Sequence, residues 1–530
     1  MKTFCIFTLG CKVNQYESEE ISQFLQQMGY SLFPKKNAAH SKTHTHNSDP
    51  PTAILDLCII NSCAVTAEAE AKTRKLVRHV IKKYTPREMI VFGCAATHHP
   101  DIFRKIPGVT HVITAEETGG NRVTAVIQAI FENKNTSVSE TKNEHSKNSS
   151  PEKWQKKWQD IQKKHGLTGF GTRHRAYIKI QDGCKQFCTY CIVPHLRKTL
   201  SSVPLEEVLQ EATSLLSRGY RELVLTGIHL GYYGQNIRSR TITDWNASAF
   251  LPENNHHDHS INLTSVLHAL VNIKLSPAPL SSSNFICPNS FSADSSSPIF
   301  DGKFRVRISS LEAYEASDAL LSTINEYQDK ICPHLHLSMQ SGSESVLRRM
   351  NRPRSAAQYL ERCIAAQEII KNIALTTDVI VGFPGETEKE FLETCEIIEK
   401  IGFSKIHIFR YSPRPGTPAS MMEGQISEAE KQKRANFLAK LEFRSREKYF
   451  QNLLGTKQEV LVEECRQISS DKENACTSDA SGKKIFLLRG TSERYIPVEI
   501  FSEKDFSGHF AHVIAQQLLP ENKGFLGKII

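Results

Sequence analysis

The sequence has no run of apolar residues that approaches the roughly 18 needed for a membrane-spanning helix, although 39% of its 530 residues are apolar. Its first segment, MKTFCIFTLGCK, is briefly apolar but has no small-residue cleavage site of the kind that ends a secretory signal. Both absences indicate a protein that neither spans a membrane nor is exported. We therefore expect a cytoplasmic localisation and no membrane partner.

A large excess of one charge is also missing, since 66 Lys and Arg residues face 57 Asp and Glu residues and leave a net charge of +9. This small surplus suits a polyanionic partner without requiring one. A chain of this length is too long for a single core and predicts two to four domains. In a reducing cytosol the 14 cysteines remain thiols, so clustered cysteines indicate metal or redox ligands rather than disulfides.

Hydrophobic periodicity is lacking in several stretches rich in Ser, Asn, His and Lys. Such composition buries too little surface to offset the entropy of ordering, which predicts mobile insertions and one disordered linker. Their histidines are interpreted as polar filler, with loop metal ligands as the alternative. The stretches are about 34–50, 132–168, 236–302 and 465–484, and the histidines are His40, His44, His46, His256, His257 and His259.

The rest of the chain forms three ordered blocks. In the first, the apolar runs FCIFTL, ILDLCII and EMIVFG alternate with amphipathic helical stretches such as 68–83. This alternation predicts an N-terminal open parallel α/β domain. In the second, six strand-like runs are mostly followed by helices, two of which begin with capping patterns at Thr387 and Ser427. This repetition predicts a central (β/α)6-type partial barrel.

The third block has short β-rich runs, QEVLVEE, KIFLLRG and YIPVEIF, which are typical of a small β-barrel. The fold class is therefore α/β with a C-terminal β-barrel. The predicted domains are 1–131, 169–450 and 451–530, and the linker 132–168 joins the first two.

Three cysteines form a CxxxCxxC pattern directly after the predicted strand YIKIQ: Cys184, Cys188 and Cys191. Three thiolates from one tight loop can ligate three corners of an iron–sulfur cubane and leave the fourth iron open. The alternative is a structural zinc site, which usually needs four closed ligands. His195 is the nearest candidate for a fourth ligand, and its position just beyond Pro194 favours the iron–sulfur interpretation.

Three further cysteines, Cys11, Cys63 and Cys94, each follow a predicted strand of the first block. Because the carboxyl ends of neighbouring parallel strands meet at one crevice, we expect these thiols to lie together. Chance placement is the alternative. Cysteines inside the predicted strands and helices are interpreted as small buried hydrophobes, and these are Cys5, Cys58, Cys363 and Cys395.

The CxxxCxxC pattern resembles the signature of radical S-adenosylmethionine (SAM) enzymes. The runs TLGCKVNQYES, NSCAVT and VFGCA resemble those of the methylthiotransferases, which carry a second cluster. Within that family, LTGIHLGYYG at 225–234 most resembles the branch that modifies N6-threonylcarbamoyladenosine at position 37 of tRNA, and 334–350 and 411–419 agree. The C-terminal block resembles the TRAM RNA-binding module of these enzymes.

The resemblance implies two [4Fe–4S] clusters, one held by Cys184, Cys188 and Cys191 and the other by Cys11, Cys63 and Cys94. In this family the first cluster binds and cleaves SAM to a 5′-deoxyadenosyl radical, and the second presents the sulfur that is added at C2 of the adenine. Catalysis is thus carried by the clusters and SAM, with no side chain assigned as catalytic. The implied partners are the tRNA anticodon loop, an electron donor such as flavodoxin or ferredoxin, and a sulfur source.

The resemblance also implies SAM contacts from Gly382 and Gly385 in VIVGFPGET and from strand-end residues of the barrel, although turn or capping roles would explain them equally. Basic helical stretches at 68–83 and 431–448 are candidate phosphate contacts or solvated faces. The strand-end residues are Arg305, Ser309, Glu312 and Gln340, and the candidate base-stacking residues are Tyr232, Tyr233, Arg494 and Tyr495.

The loop after Cys191 departs from the family pattern, which runs Pro-x-x-Arg-Gly and then continues with further arginines. Here Arg197 is kept, but the glycine and the later arginines are replaced. This leaves open how the loop meets SAM or RNA. Isopentenyladenosine in tRNA and a ribosomal-protein aspartate are alternative substrates, and a non-catalytic RNA-binding scaffold with a metal is the alternative from another class.

Overall fold

The fold was analysed in a computed structural model. It describes residues 2–33, 55–115, 121–132, 158, 167, 169–171, 173–236, 261–274, 302–468 and 485–530. By its internal contacts the chain divides into two compact units. The first contains residues 1–167, 183–186 and 191–200, and the second contains 168–182, 187–190 and 201–530. No helix among the described residues combines the length and apolar character needed to cross a membrane.

A five-stranded sheet, entirely parallel, forms the centre of the first unit, with strand order β2-β1-β3-β4-β5. Its strands are β1 (Thr3–Thr8), β2 (Ser31–Leu32), β3 (Leu57–Ser62), β4 (Glu88–Gly93) and β5 (His111–Val112). The continuous apolar runs are buried on both faces, as parallel sheets require. The predicted open α/β domain is therefore confirmed.

Helices cover both faces of this sheet. They are α1 (Lys12–Gln27), α2 (Ala67–Tyr84), α3 (Cys94–His98), α4 (Pro100–Arg104), α5 (Arg122–Glu132) and α6 (Val193–Leu196). Helix α2 corresponds to the predicted stretch 68–83 and begins at Thr66, whose hydroxyl accepts a hydrogen bond from the Ala69 N–H. One apolar cluster includes Phe24 and Ile59, and the other includes Val77 and Val91.

The expectation of a disordered linker at 132–168 is wrong at Trp158 and at Leu167, which are both buried. Trp158 is buried, its ring lies 5.2 Å from that of Phe24, and its indole N–H donates to the Thr124 hydroxyl at 3.2 Å. A single large aromatic side chain buries enough apolar surface to hold its position. The mean composition of a polar stretch does not reveal such a residue.

The second unit contains seven parallel strands in two linked sheets, ordered β7-β6-β8-β9 and β10-β11-β12-β13. Only Ser309 separates β9 from β10, so the chain passes directly between the sheets, and β7 is a short antiparallel addition. This arrangement confirms the partial barrel. The strands are β6 (Arg175–Asp182), β7 (Ser201–Ser202), β8 (Glu222–Gly227), β9 (Arg305–Ile308), β10 (Ser310–Leu311), β11 (His334–Leu337), β12 (Ala374–Val381) and β13 (Lys405–Arg410).

The two helices of this unit for which the sequence predicts a cap begin at the predicted positions. Thr387 and Glu390 form a reciprocal capping box, and the Ser427 side chain accepts from the Glu430 N–H. The helices are α7 (Leu205–Ser217), α8 (Leu263–Val271), α9 (Asp318–Glu326), α10 (Glu344–Arg349), α11 (Ala356–Ile369), α12 (Glu388–Ile401) and α13 (Glu428–Gln451). Short 3-10 helices span Leu230–Tyr232, Ala313–Glu315, Pro418–Met421 and Pro520–Asn522.

Helix α8 corrects the prediction that 236–302 is wholly an insertion. Asn262 and Ser265 form a capping box, and Val266, Leu267 and Leu270 are buried. Nine residues with a good cap and an apolar face form a helix even inside a polar stretch, because local pattern outweighs mean composition. Most of the predicted polar insertions, with His40, His44, His46, His256, His257 and His259, lie outside the described residues.

A closed five-stranded β-barrel ends the chain, which confirms the third predicted block. Its order is β14-β15-β16-β18-β17, and its core includes Val460, Leu488 and Val513. The strands are β14 (Lys457–Ile468), β15 (Ile485–Ser492), β16 (Pro497–Ser502), β17 (Phe510–Leu518) and β18 (Phe525–Ile529).

Two buried arginines attach this β-barrel to strands β8 and β9 of the same unit. Arg305 and Arg307 each donate to the Glu222 carboxylate at 2.7 Å. Arg305 also donates to the backbone oxygen of Glu459, and Arg307 to that of Glu493. The expectation that Arg305 faces a SAM site is therefore wrong, because it is the first residue of β9 and lies at the opposite end from Ser309.

Candidate functional site

Three cysteines of the first unit stand at the carboxyl ends of adjacent strands. Cys11 precedes α1 and follows β1, Cys63 directly follows β3, and Cys94 opens α3 directly after β4. Since β1, β3 and β4 are neighbours in the sheet, their carboxyl ends carry the three thiols to one edge. The buried Cys5 and Cys58 lie instead inside their strands, with their sulfurs 3.4 Å apart.

Two glycines allow the loops that carry these cysteines to approach closely. Gly10 has φ +104°, and a Cβ there would lie 2.9 Å from Cys63 Cβ and 3.0 Å from its Sγ. Gly93 has φ +97°, and its Cβ would lie 2.5 Å from Asn61 Oδ1 and 2.6 Å from the Ser62 backbone oxygen. Only glycine fits both positions, since each combines a left-handed conformation with contact to the next strand end.

Asn14, in the first turn of α1, ties the ends of β1 and β3 together. Its amide donates to the backbone oxygens of Leu9 at 2.9 Å and Ser62 at 3.1 Å. The Asn61 side chain donates in turn to the Asn14 backbone oxygen at 2.8 Å. These bonds fix the loops after β1 and β3 against each other, which is the preorganisation that a multi-ligand site needs.

The electrostatics around the first-unit thiols favour negative charge at Cys94. Burial by itself raises the pKa of Cys94, but the Arg122 and Arg197 guanidinium groups outweigh it and lower that pKa. Arg122 donates to Cys94 Sγ at 3.4 Å. The Cys11 pKa is raised, mainly by desolvation and in part by the Cys94 charge, while Arg197 opposes the rise. Cys11 and Cys94 thus interact electrostatically.

Arg197 belongs to the loop that follows Cys191, and its side chain is buried in the first unit. It forms a bidentate ion pair with Glu17, with distances of 2.8 and 3.1 Å, and donates to Asn14 Oδ1 at 3.2 Å. A second buried cation, Arg122, donates to the Leu196 backbone oxygen in the same loop. The arginine that this loop retains therefore supports the first-unit cysteines.

The CxxxCxxC pattern divides between the units, with Cys184 and Cys191 in the first and Cys188 in the second. In the first unit, the Cys184 N–H donates to the Arg197 backbone oxygen at 3.4 Å. In the second unit, Thr189 donates to the Arg349 oxygen and exchanges backbone bonds with residues 350 and 419, which fixes the segment that contains Cys188.

Cys188 faces one cation that is shared with a carboxylate. Arg352 Nη1 lies 3.7 Å from Cys188 Sγ, and the same guanidinium pairs with Glu312 and donates to the Ser338 backbone oxygen. Burial raises the pKa of Cys188, and Arg352 offsets only part of the rise. Glu312, Arg352 and Ser338 also line a cavity of about 190 Å³ that includes Tyr314 and Met339.

The predicted SAM-contact residues occupy different settings. Glu312 and Ser309 are at the β10 end of the barrel, with Glu312 on the cavity just described. Gln340 has φ +68° and forms an isolated β-bridge with β12. Gly382 and Gly385 both have φ +72°, and the side chain of Lys431 fills the space above Gly382. The positive φ favours glycine at both positions, and their contact with SAM stays a prediction.

The candidate RNA contacts are mostly engaged within the protein. Tyr233 is buried and donates to the Val203 oxygen, and Tyr232 stacks on His229 at 3.9 Å. Arg494 pairs with Glu493, and Tyr495 lies beneath the guanidinium groups of Arg175 and Arg307. In the predicted basic stretch 431–448, Lys431 and Arg434 are buried, so that stretch is not a uniform solvated face.

Asn14, Glu17, Arg122 and Arg352 were missed as site residues. Asn14 and Glu17 lie one helical turn apart next to Cys11, which is the only signal the sequence offers. Arg122 and Arg352 are far from their cysteines along the chain, and only the fold brings them close.

Comparison with known proteins identifies the family. Residues 3–114 match the uncharacterized protein family UPF0004, and residues 293–398 match the Radical SAM superfamily. The threonylcarbamoyladenosine tRNA methylthiotransferase MtaB of Thermotoga maritima is 32% identical over 87% of each chain. MtaB of Bacillus subtilis is 30% identical over 100% of this chain and 97% of its own. The chain belongs to the radical SAM methylthiotransferase family.

Other members of this family match nearly as well. The tRNA-2-methylthio-N(6)-dimethylallyladenosine synthase of Desulfosudis oleivorans is 30% identical over 90% of this chain and 86% of its own. Among solved structures, the radical SAM methyltransferase TsrM of Kitasatospora setae is similar, with a TM-score of 0.47, 11% identity, and coverage of 79% of this chain and 75% of that chain. As a radical SAM methylthiotransferase, the chain is an enzyme that uses SAM and a [4Fe–4S] cluster.

Proposed function

We propose that this methylthiotransferase modifies C2 of N6-threonylcarbamoyladenosine at position 37 of tRNA and gives 2-methylthio-N6-threonylcarbamoyladenosine. The observation that carries this substrate is the match to relatives named for it, at 30–32% identity over 87–100% of the chain. The segment 225–234, which most resembles that branch, supports the same assignment.

The geometry of segment 225–234 suits a substrate-recognition role. His229 follows β8, and its Nε2 lies 2.6 Å from Glu315 Oε1. Gly231 lies directly against the Glu315 carboxylate, where no Cβ would fit. The segment thus places a buried His–Glu pair at the carboxyl end of a barrel strand, which is where barrel enzymes build their active sites. We infer that this pair helps to recognise the modified adenine.

Cys184, Cys188 and Cys191 are the proposed ligands of the SAM-binding [4Fe–4S] cluster. Three thiols in seven residues match the donor set of a cubane with one open iron. Arg352, beside Cys188 Sγ, supplies a cation that offsets the negative charge of a thiolate ligand. Glu312 orients Arg352 through their ion pair.

Cys11, Cys63 and Cys94 are the proposed ligands of a second [4Fe–4S] cluster. Their donor set also fits a cubane with an open iron, and Asn14 holds the loops of Cys11 and Cys63 together. Arg122 and Arg197 place two buried cations beside Cys94, which lower its pKa and favour its thiolate. The site therefore suits an anionic iron–sulfur group.

The reaction needs cofactor chemistry because the C2–H bond of adenine is far too weakly acidic for a side-chain base near neutral pH. When bound, SAM and the clusters supply the radical and sulfur-transfer chemistry. The protein holds the ligand thiolates, positions the nucleotide and excludes water. An adenine at position 37 is reached by turning it out of the single-stranded anticodon loop. A flavodoxin or ferredoxin as electron donor and a separate sulfur source are the remaining proposed partners.

Analysis of tRNA nucleosides by HPLC and mass spectrometry in a strain that lacks the gene tests the substrate. We expect loss of 2-methylthio-N6-threonylcarbamoyladenosine, accumulation of its unmodified precursor, and recovery with the wild-type gene but not with Cys63→Ala. Loss of methylthio-isopentenyladenosine alone, or an unmethylthiolated ribosomal-protein aspartate with normal tRNA, would assign a different substrate.

Iron and sulfide counting after anaerobic reconstitution tests the two-cluster assignment and the scaffold alternative. Two cubanes predict about eight irons per chain. About four irons would contradict the second cluster, and zinc alone would exclude radical chemistry. Cys5→Ala is the matched control, because Cys5 is a buried thiol of the same sheet that lies within β1.

A further inference from the structure

Three residues of types that bind metals, two histidines and one aspartate, lie on one face of the second sheet of the barrel. His336, Asp378 and His407 lie on the adjacent parallel strands β11, β12 and β13. Asp378 is paired in register with His407, and His336 is paired with Thr376, which precedes Asp378 by two residues on the same face. The opposite face carries Thr377, whose hydroxyl is bonded to Tyr359 of α11. The three residues therefore lie on the sheet face away from α11.

The distance between His336 and Asp378 suits two ligands of one ion, and a ligand atom of His407 lies within 4.8 Å of both. One ligand atom from each residue lies within 4.8 Å of the others, and His336 Nε2 is 3.2 Å from Asp378 Oδ2. Two atoms that each lie about 2.0–2.1 Å from one zinc ion are separated by about 2.9–3.4 Å at octahedral to tetrahedral angles. Within the described part of the chain, buried His336 Nε2 makes no hydrogen bond, so Asp378 lies beside it without accepting one.

Neighbouring side chains orient His336 but do not neutralise Asp378. The Thr376 hydroxyl lies 3.0 Å from His336 Nδ1, which is the kind of contact that fixes the ring of a metal-binding histidine. Lys405, the nearest cation on β13, instead pairs with Glu442 of α13 at 3.1 Å. The carboxylate of Asp378 therefore faces two imidazoles and is not neutralised by Lys405.

We propose that His336, Asp378 and His407 form a binding site for a divalent transition-metal ion such as Zn²⁺, which uses none of the six cysteines proposed as cluster ligands. Two imidazole nitrogens and one carboxylate oxygen are a donor set that such ions accept. Because His407 is exposed on the edge strand β13, coordination positions remain open on that side. An oxygen atom of an anionic ligand or water completes the coordination.

Zinc binding to the reconstituted, full-length holoprotein tests the site, because the clusters then occupy the competing cysteines. After treatment with a chelator, the protein is loaded with Zn²⁺ and studied by elemental analysis and zinc-edge X-ray absorption. We expect one zinc per chain with only nitrogen and oxygen ligands at about 2.0–2.1 Å, without the sulfur ligands near 2.3 Å that mark zinc on cysteines.

Variants locate the ion. Asp378→Asn and His407→Gln should weaken zinc binding at least tenfold, and Thr376→Val should weaken it by about 10–100-fold through loss of ring orientation. His512→Gln, an exposed strand histidine of the C-terminal β-barrel, is the control and should bind zinc like the wild type. His407→Gln changes an exposed edge residue, so its folding is preserved. Absence of bound zinc, a sulfur-containing ligand shell, or unchanged affinity in Asp378→Asn and His407→Gln would overturn the proposal.

Discussion

The two cysteine sets are built in opposite ways. Cys11, Cys63 and Cys94 come from three strand ends of one sheet, and two buried arginines lower the pKa of Cys94. Cys188 belongs to a short local pattern, where burial raises its pKa and Arg352, which is shared with Glu312, offsets only part of that rise. The set that the fold assembles thus has two buried arginines, of which Arg197 is paired with Glu17, whereas the local set has one arginine, which is paired with Glu312.

This difference shows which parts of the protein each cysteine set depends on. The dispersed set depends on two glycines, Asn14 and buried Arg197, so damage to any of them reaches the ligands through the fold. The local set keeps its spacing by covalent connection, and its environment mainly adjusts charge. We expect mutations around the first set to affect stability and assembly, and mutations around the second to affect electrostatics.

The largest effect should come from removing one ligand of each set. Cys188→Ala should abolish SAM cleavage, because the open-iron cluster cannot form with two thiolates. Cys63→Ala should leave cleavage intact and abolish sulfur transfer. Chromatography of 5′-deoxyadenosine together with tRNA nucleoside analysis measures both, with Cys5→Ala as the control. Loss of cleavage in both variants would remove the proposed division of labour.

Arg197→Met should lower the free energy of unfolding by about 3–5 kcal/mol, because it leaves the buried Glu17 carboxylate without its partner. The double variant Arg197→Met, Glu17→Gln should recover part of this loss, since neither position of the pair then carries a buried charge. Urea denaturation measures the effect. Equal stability of Arg197→Met and the wild type would show that the ion pair does not support the first unit.

Glycine substitutions separate backbone strain from the close approach at the first site. Gly93→Ala and Gly29→Ala share a cost of about 1–2 kcal/mol, because both positions have positive φ. Gly93→Ala should lose about 1–3 kcal/mol more, since its new methyl group meets the end of β3, whereas Gly29 has open space around it. Thermal unfolding and iron content measure this difference, and equal losses would exclude a role for the close approach.

The smallest effect concerns the charge on Cys188. In cluster-free protein, Glu312→Gln should lower the Cys188 pKa, because it removes a nearby negative charge and leaves Arg352 to the thiolate. The pH profile of alkylation, read by mass spectrometry, should then shift to lower pH, because thiolate forms at lower pH. Cys94 should be unaffected in this variant. A shift to higher pH would contradict the proposed sharing of Arg352.

Much of the fold was predictable because its signals are local. The apolar runs, the capping patterns at Thr387 and Ser427, and the placement of Cys11, Cys63 and Cys94 after strands all follow from short stretches of sequence. Helix α8 and Trp158 were missed because each is a brief ordered feature within a polar stretch.

The charged residues that neighbour the cysteines could not be predicted from the sequence, for a different reason. Arg122 is 28 residues from Cys94, and Arg352 is 164 residues from Cys188. The sequence does not show whether an arginine is a buried partner of a thiol or a solvated cation at the surface. Arg197 was noticed as a retained loop residue, but its pairing with Glu17 appears only in three dimensions.

The attachment of the C-terminal β-barrel has an evolutionary consequence. Arg305 and Arg307 hold the barrel through hydrogen bonds to backbone carbonyl groups, such as those of Glu459 and Glu493. Every amino acid has such a backbone carbonyl group. Substitutions at Glu459 and Glu493 therefore leave these two hydrogen bonds possible, whereas other contacts at the joint need particular side chains, such as Glu463 paired with Arg175 and Tyr495 beneath Arg175 and Arg307. Selection can change the surface of the barrel for new partners as long as Glu463 and Tyr495 are kept.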